Sequence, residues 1–396
     1  MEPRVLGPIG DVDPAAWNRL VAATPGANAF VRHEWLAALE ASGCAEARAG
    51  WTPRHLGLFE RRGGIDHLIA ALPLYEKHDS EGDFSRDWGW AEAAARAGYR
   101  YYPKLVATVP FTPVGGARLL SDGVVDRAAA ARALLATAAA LGGELGCGGV
   151  HVLFPLAAEA DLFSSIGMAR RVAFQYHFLN RGYRTVEDLL ARFDSKRRNV
   201  TRRERAAPAQ QGISIRTVRG AELAADPLRW ARQAHALHRS TVDKLMWGRR
   251  WMNVDFYERA FTALPGPMEL VVAERAGKIV AGAFNVASDT HLYGRYWGCL
   301  EEHRFLHFNV CLYHSIDDVI ARGLQAFEGG AGGEHKIARG FEPSETYSTH
   351  LFLDRRLDAP LRAHIAGEAA ERDHALAEYR ARSPIFRRPA PPQNEA

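Results

Sequence analysis

The densest group of residues able to do chemistry lies in the segment FEGGAGGEHKIARGF, which ends an apolar run typical of a strand. Glu328, Glu334 and His335 offer a general base and a general acid. Lys336 and Arg339 add two fixed cations. A turn held by salt bridges is the alternative interpretation. Because so many different functional groups converge after one strand, we predict a catalytic site here.

The glycines of the same segment allow close contact with a ligand. A residue without Cβ lets the backbone approach a bound molecule and present its amide groups. Gly332 and Gly333, together with Arg339, are therefore predicted to contact an acyl donor.

A second segment, HLYGRYWGCLEEHRFLHFNVC, could complete the machinery for acylating an amine. This reaction needs a base for the nucleophile, donors for the developing oxyanion and an acid for the leaving group. Glu301 or Glu328 is the candidate base. Tyr293 or Tyr296 is the candidate acid, with core packing as the alternative for both tyrosines. Backbone N–H groups at the end of this strand would hold a thioester carbonyl.

Aromatic, basic and amide side chains elsewhere are predicted to bind substrate. Those of the first half belong to an aromatic-rich stretch that could line a cleft between two halves of the chain. Core packing beneath an irregular loop is the alternative. The predicted substrate-binding residues are Trp88, Tyr101, Tyr102, Lys104, Arg295, His307 and Asn309.

A strongly basic helix is predicted from Thr185, a good N-cap, to a stop at Pro208. Its outer face concentrates cations, among which Arg197, Arg198 and Arg202 are predicted to bind the donor. A solvated surface helix is the alternative. An anionic partner would be the phosphates of a CoA thioester, a tRNA acceptor stem or anionic lipid headgroups, and the sequence does not separate these.

Other site classes lack their motifs. His303 and His307 are four residues apart, but there is no HExxH arrangement and no clear third ligand, so we expect no metal. A nucleophile elbow and a Walker A loop are also absent from the sequence. We expect no tightly bound cofactor.

The pattern of apolar runs predicts an α/β protein made of two similar halves, each with a mixed central sheet flanked by helices. Each half has a helix, a hairpin, a third strand, a second helix and a closing strand, in that order. We predict domains at 1–165 and 166–385, with the transfer site in the second, and a disordered Pro-rich tail at 386–396.

The composition is that of a globular protein rather than a membrane or secreted one. The 396 residues carry a formal net charge of +4, and 47% of them are hydrophobic. We expect no transmembrane segment and no signal peptide, because no apolar run is long enough and the N-terminus is polar. The four cysteines form no CxxC pair. We therefore expect a cytoplasmic protein.

Several short runs carry a family resemblance. YYPKL, VPFTP, LYGRYWG, GEHK and ARGF occur in this order, and together they resemble the FemAB-like N-acyltransferases of the GNAT superfamily. The resemblance extends over residues 10–385 and includes the SKRRNVTRRER segment. It implies a tandem GNAT-like fold and acyl transfer to an amine. Asn309 stands where the family usually has Glu, and an amide cannot act as a base.

Three functions remain open. The first is transfer of an acyl group from an acyl-CoA co-substrate to an amine of a small molecule or a cell-wall precursor. The second is Fem-type transfer of an amino acid from aminoacyl-tRNA, with the basic helix on the tRNA backbone. The third is a binding module that kept the fold and lost catalysis. The sequence does not give the oligomeric state.

Overall fold

The computed structural model describes residues 1–244, 246 and 248–382, and the predicted tail at 386–396 lies outside them. The strands are β1 Glu2–Gly7, β2 Thr52–Pro53, β3 His55–Arg62, β4 Ile65–Leu72, β5 Tyr75–Lys77, β6 Lys104–Ala107, β7 Leu120–Ser121, β8 Gly149–Leu153, β9 Ala169–Leu179, β10 Ile213–Arg219, β11 Met268–Arg275, β12 Lys278–Ala287, β13 His291–Cys299, β14 Ala326–Glu328 and β15 Glu342–Phe352.

The α-helices are α1 Pro14–Ala23, α2 His33–Ala41, α3 Trp88–Arg96, α4 Arg127–Leu145, α5 Ala157–Ser165, α6 Val186–Arg192, α7 Ser195–Gln210, α8 Gly220–Ala225, α9 Pro227–Val242, α10 Val254–Ala263, α11 Leu306–Phe308, α12 His314–Ala321 and α13 Arg355–Arg382. A π-helical turn, Asn309–Tyr313, joins α11 to α12. A 3-10 turn, Glu334–Arg339, follows the glycine-rich loop.

The strands form two sheets flanked by helices. The smaller is antiparallel, with the order β1-β3-β4-β7. The larger has eleven strands in the order β10-β11-β12-β13-β14-β9-β15-β8-β6-β5-β2. It is mixed, because β13 pairs with β14 and β6 with β8 in parallel. The α/β class with mixed sheet and flanking helices is confirmed.

The predicted repeat of elements is also present. In the second half, the antiparallel strands β11, β12 and β13 are followed by helices and then by the parallel partner β14. In the first half, β4 and β5 lead to β6, and helix α4 precedes the parallel partner β8. This is the GNAT plan used twice.

The larger sheet runs through both halves, because two long strands at its centre, β9 and β15, pair with each other and connect the strands of the two halves. β9 pairs with β14, and β15 returns from the C-terminal half to lie between β9 and β8. The halves also share a core, in which Trp35 lies 5.2 Å from Phe256 and Phe30 lies 5.4 Å from Tyr293, ring centre to ring centre. The predicted boundary at residue 165 is the end of α5, and as a domain boundary it stays a prediction.

The basic segment differs from the single predicted helix. It forms two helices, α6 and α7, which are separated at Phe193 and Asp194. Thr185 caps the first helix as predicted, and the Asp194 side chain caps the second. Pro208 does not stop α7, which continues to Gln210. The aspartate offers a second N-cap, so one basic run becomes two helices with different directions.

One helix among the described residues, α4, is long and apolar enough to cross a membrane by length and composition. Such helices also occur in protein cores. Here Leu134 and Ala138 of α4 are buried and belong to the core formed with Leu56 of β3 and Val150 of β8. The structure therefore uses α4 as a packing helix of the first half.

Candidate functional site

The candidate site lies where the parallel strands β13 and β14 separate. Their pairing ends at Tyr293 and Glu328, and beyond these residues the two strands separate. A cavity of about 300 Å³, called here the splay cavity, lies between them. Gly294–Trp297 form one wall, and the opposite wall is the glycine-rich loop from Gly329 to Lys336. Both segments that the sequence predicted to carry chemistry therefore meet at one place.

The β13 wall carries a bulge. The register with β12 shifts so that Phe284 faces Tyr296 and Asn285 faces Gly294, which leaves Arg295 as the extra residue. A bulge interrupts the ladder and is frequent beside active sites. On its other side β13 has lost its partner β14 at this point. Backbone N–H groups at an open strand edge of this kind are able to bind a ligand carbonyl, and that they do so here stays a prediction.

Lys336 holds the loop wall together. Its Nζ donates to the carbonyl oxygens of Gly330 and Gly332, at 2.7 Å each. Gly332 and Gly333 have φ of +76° and +91°, which side chains other than glycine rarely adopt. Burial lowers the pKa of Lys336 to about 8, although the nearby Cys311 opposes this. An ammonium has three donors, so one remains for a ligand in the cavity.

Glu328 is the buried carboxyl of the site. It ends β14 with 7% of its surface exposed, and its Oε2 has no hydrogen-bond partner in the described chain. Burial raises its pKa to about 7, against the opposing effects of the Gly115 N–H and the guanidinium groups of Arg295 and Arg118. His177 Nε2, also without a partner, lies 3.9 Å away. A carboxyl with this pKa is suited to accept a proton near neutral pH.

The first half builds the surroundings of Glu328. Arg118 is fully buried and donates to the carbonyl oxygens of Val114 at 2.7 Å and Leu153 at 2.9 Å. It thereby fixes the loop whose Gly115 N–H bonds the Glu328 carboxylate. The sequence analysis missed Arg118 and His177. The residues next to them in the sequence do not indicate a site, because the roles of Arg118 and His177 depend on contacts between the two halves.

Four further predicted residues line the splay cavity. Burial raises the pKa of Tyr296 to about 12, so its hydroxyl keeps its proton at neutral pH and can act as an acid. Burial lowers the pKa of His307 to about 4, so its ring is neutral there. The exposed His335 lies 5.9 Å from His307, ring centre to ring centre. The Arg295 guanidinium donates to the Phe111 carbonyl of the first half.

Glu334 and Asn309 lie away from this cavity. Glu334 is exposed, and its charge acts on Tyr176 and Tyr379 on the α13 side. The Asn309 amide is buried and donates at 2.9 Å to the carbonyl oxygens of Glu204 and Phe305. Asn309 thus ties the π-helical turn to α7.

Arg339 is held in a buried ion pair. Its Nη2 donates to Glu204 Oε2 of α7 at 2.9 Å, and its Nη1 donates to the His335 carbonyl at 2.8 Å. The Tyr313 hydroxyl donates to the same Glu204 oxygen at 2.5 Å. These bonds hold Nη1 and Nη2, while the buried Nε has no partner in the described chain, so Arg339 fixes the glycine-rich loop against α7.

Replacing Arg339 with Ala is expected to destabilise the fold by about 3–5 kcal/mol, because it leaves the Glu204 carboxylate buried without its cation. Urea unfolding of the purified protein measures this loss. The matched control is Arg202→Ala, which breaks an exposed pair with Glu187 and should cost at most about 1 kcal/mol. An equal or smaller loss in Arg339→Ala would contradict the structural role of the pair.

The three predicted donor-binding arginines of α7 have different surroundings. Arg198 donates to the carbonyl oxygens of Leu190 and Phe193, which end α6. Arg202 bonds Glu187 at 2.5 Å. Among the described residues the Arg197 side chain has no ion-pair partner, and the exposed Lys196 and Arg203 share this property. These three cations of α7 are therefore available to an anionic partner.

The first-half residues predicted to bind substrate do not reach the splay cavity. Lys104 is fully buried, with its Nζ 2.9 Å from Asp83 and 2.6 Å from Asp87. The Tyr101 hydroxyl donates to Asp87 at 2.6 Å. Tyr102 bonds the Ser80 hydroxyl at 2.7 Å, and Trp88 is 54% exposed on α3. Core packing, the alternative named for this stretch, describes Tyr101 and Lys104.

Within the ranges that the structure describes, no three or more His, Cys, Asp or Glu side chains are grouped to hold a metal ion.

Solved structures resemble this chain in fold. A crystal structure of FemX superposes with a TM-score of 0.55 at 12% identity, covering 91% of this chain and 100% of that one. L-PGS from Bacillus licheniformis gives 0.51 at 11% identity, with 89% and 96% covered. A tandem GNAT protein from the clavulanic acid biosynthesis pathway gives 0.44 at 14% identity, with 89% and 99% covered. At such identities the likeness shows the fold alone.

A search of the curated proteins finds no match. The FemAB-like family, described as peptidoglycan biosynthesis/recognition, matches residues 8–388. That match covers nearly the whole chain and confirms the resemblance drawn from the short runs. The chain therefore belongs to the FemAB-like family.

Proposed function

We propose that the splay cavity transfers an acyl group to the amine of a small molecule or a cell-wall precursor, with Glu328 as the general base. The observation that carries this proposal is the buried Glu328 carboxyl, one oxygen of which has no hydrogen-bond partner in the described chain, at the point where β13 and β14 separate. Burial raises its pKa to about 7, and Gly329, the next residue, lines the splay cavity.

The reaction follows from the geometry. Glu328 accepts a proton from the acceptor ammonium, and the amine nitrogen then forms a bond to the donor carbonyl carbon. Backbone N–H groups of the open β13 edge and the third donor of Lys336 bind the resulting oxyanion. When the oxyanion collapses, the bond to the leaving sulfur or oxygen breaks, and Tyr296 supplies that atom with a proton. The attacking nitrogen gives its second proton to the Tyr296 phenolate, which leaves the amide, and the Glu328 proton passes to solvent.

The position of Asn309 removes the argument for an inactive binding module. Its amide is satisfied by two backbone carbonyl groups on the α7 side, so the residue has a structural task. The base of the proposed reaction is supplied by Glu328 instead, and the family's usual Glu at position 309 is not required for it.

An acyl-CoA thioester is the donor we propose first. The splay between two parallel strands offers an open edge for a thioester carbonyl, and Arg197 offers a free cation. Aminoacyl-tRNA is the second candidate. It is favoured by the exposed Lys196 and Arg203 and the half-buried Arg197, which α7 presents without ion-pair partners in the described chain. Either donor would place the reaction in the cytoplasm.

A thermal-shift titration with acetyl-CoA, longer acyl-CoAs, free CoA and aminoacyl-tRNA tests the donor. A ligand that binds only the folded state adds about 2.7 kcal/mol of stability at a hundredfold excess over its Kd. We expect a saturable shift with an acyl-CoA and a weaker one in Arg197→Ala. A shift with aminoacyl-tRNA alone, falling steeply with salt, would replace CoA by tRNA. No shift with any donor would contradict the proposed function.

A further inference from the structure

A second cavity, called here the side cavity, adjoins the first. It has a volume of about 130 Å³ and touches the splay cavity at Ala331, which lines both. This is room for a group of several heavy atoms. Its floor is the face of the central sheet formed by β9 and β15, and its rim is the loop before α3. The lining residues used below are Ser85, Arg86, Phe154, Arg171, Gln175 and Thr346.

The side cavity lies on the same sheet face as Glu328. Directly paired residues of neighbouring strands project to the same side, and residues two apart on one strand do too. Glu328 pairs with His177, and Gln175 follows two residues away along β9, at about 7 Å. The side cavity begins at Gln175. A molecule extending from it would therefore reach Glu328 over a short distance.

Arg86 is the free cation of this cavity. It is exposed and has no ion-pair partner among the described residues. Its acidic neighbours Asp83 and Asp87 do not neutralise it, because both bind the buried Lys104. Arg171 is in a different position. It is bonded to Glu368 at 2.6 and 2.8 Å and to the Ser85 carbonyl at 2.7 Å, so it fixes the rim.

The backbone around this cavity is strained. Phe84, Arg86 and Phe154 have φ of +59°, +54° and +56°, and all three line the cavity. For residues with a side chain such conformations cost about 1–3 kcal/mol each, and they concentrate at ligand sites. These backbone conformations place Ser85 and Arg86 at the rim of the cavity. Thr346 contributes a hydroxyl group to the floor of the cavity.

We propose that the side cavity binds an anionic group of the amine acceptor, a carboxylate or a phosphate, and that Arg86 is the cation that pairs with it. The acceptor then extends along the β9 face so that its amine reaches Glu328, while the donor occupies the splay cavity. The inference rests on the proposed function for the fate of the amine, but the binding of the anion is independent of it.

Equilibrium binding to matched amines tests the side cavity. The carboxylate arm compares L-lysine with cadaverine, and the phosphate arm compares phosphoethanolamine with ethanolamine. We expect the anionic member of at least one pair to bind at millimolar concentration. The analogue that lacks the anionic group should bind at least tenfold more weakly. Arg86→Ala and Arg86→Glu should raise the Kd at least tenfold, whereas Arg86→Lys should retain part of the affinity.

The control is Arg96→Ala, which removes an exposed arginine of α3 paired only with Glu92 and should leave the Kd unchanged. Equal binding of the two members in both pairs, no binding of any of the four amines, or an unchanged Kd in Arg86→Ala would overturn the inference. The assay needs no donor and no turnover. Anion-selective binding without transfer in a separate assay would therefore count against the proposed function and leave the side cavity supported.

Discussion

Replacing Glu328 with Gln is expected to lower kcat for acyl transfer by about 10²- to 10⁴-fold, the usual contribution of a general base. The amide fills the same space and can still accept the Gly115 N–H bond, so the loop contacts persist. It cannot take a proton. Steady-state rates with saturating donor and acceptor measure the loss, and Glu144→Gln, an exposed change on α4, is the matched control.

The pH dependence distinguishes a base from a structural residue. The pKa of Glu328 is raised to about 7, so the active carboxylate form increases as the pH rises through 7. We expect kcat/KM of the wild type to increase as the pH rises through 7, and to fall again above about pH 8 where Lys336 loses its proton. The residual rate of Glu328→Gln should lack this step. A step that persists in the variant would assign the titration to another group and reject Glu328 as the base.

Stability provides a check on the same variant. A buried carboxyl with a raised pKa keeps its proton up to a higher pH in the folded state than in the unfolded state. Between the ordinary glutamate range and pH 7 the folded protein therefore binds more protons, and stability decreases as the pH rises. Glu328→Gln removes this penalty. We expect its Tm relative to the wild type to be higher at pH 8 than at pH 5.

The elements of this fold were largely predictable from the sequence, but their partners were not. The hairpin of β3 and β4, with Gly63 and Gly64 in its turn, follows from local signals. The pairing of β9 with β15 does not follow from local signals. These strands are more than a hundred residues apart in the sequence, and they meet only in the assembled sheet. The two predicted sheets are present, but the larger one contains strands from both halves, which local signals do not indicate.

The candidate site shows the same division. The sequence located Glu328 and Lys336, because a glycine-rich polar loop after a strand is a local pattern. It could not distinguish Lys336 from Glu334, which are two residues apart. They lie on a 3-10 turn with three residues per turn, so their side chains point in different directions. Lys336 points into the loop wall, and Glu334 points toward α13.

Burial of charged groups also changed the interpretation of several residues. Lys104 looked like a substrate-binding cation, yet Asp83 and Asp87 raise its pKa above the ordinary value despite the opposing effect of burial. These partners come from a loop with no regular spacing, which a periodic pattern cannot reveal. Arg339 was likewise expected to bind the donor, but Glu204 of α7 occupies it. The cations without an ion-pair partner could be identified only from the structure, because the acidic partners of the other cations are not apparent in the sequence.

Replacing Lys336 with Ala is expected to lower kcat by about 10²- to 10³-fold, the range found when an oxyanion donor is removed. The change eliminates both 2.7 Å bonds to the Gly330 and Gly332 carbonyl oxygens and the cation at the cavity. Lys278→Ala, an exposed change on β12, is the matched control. A wild-type kcat in Lys336→Ala would remove this residue from the proposed mechanism.

Lys336→Arg separates the charge of this residue from its titration. Burial lowers the pKa of Lys336 to about 8, so the ammonium form is lost above that pH, and the wild-type rate should fall there. A guanidinium remains charged over the same range. We expect Lys336→Arg to be slower than the wild type, because a planar fork fits the two carbonyl oxygens poorly, and to show no fall between pH 8 and pH 10. An alkaline fall that is unchanged in Lys336→Arg would show that another group, such as Tyr296, controls it.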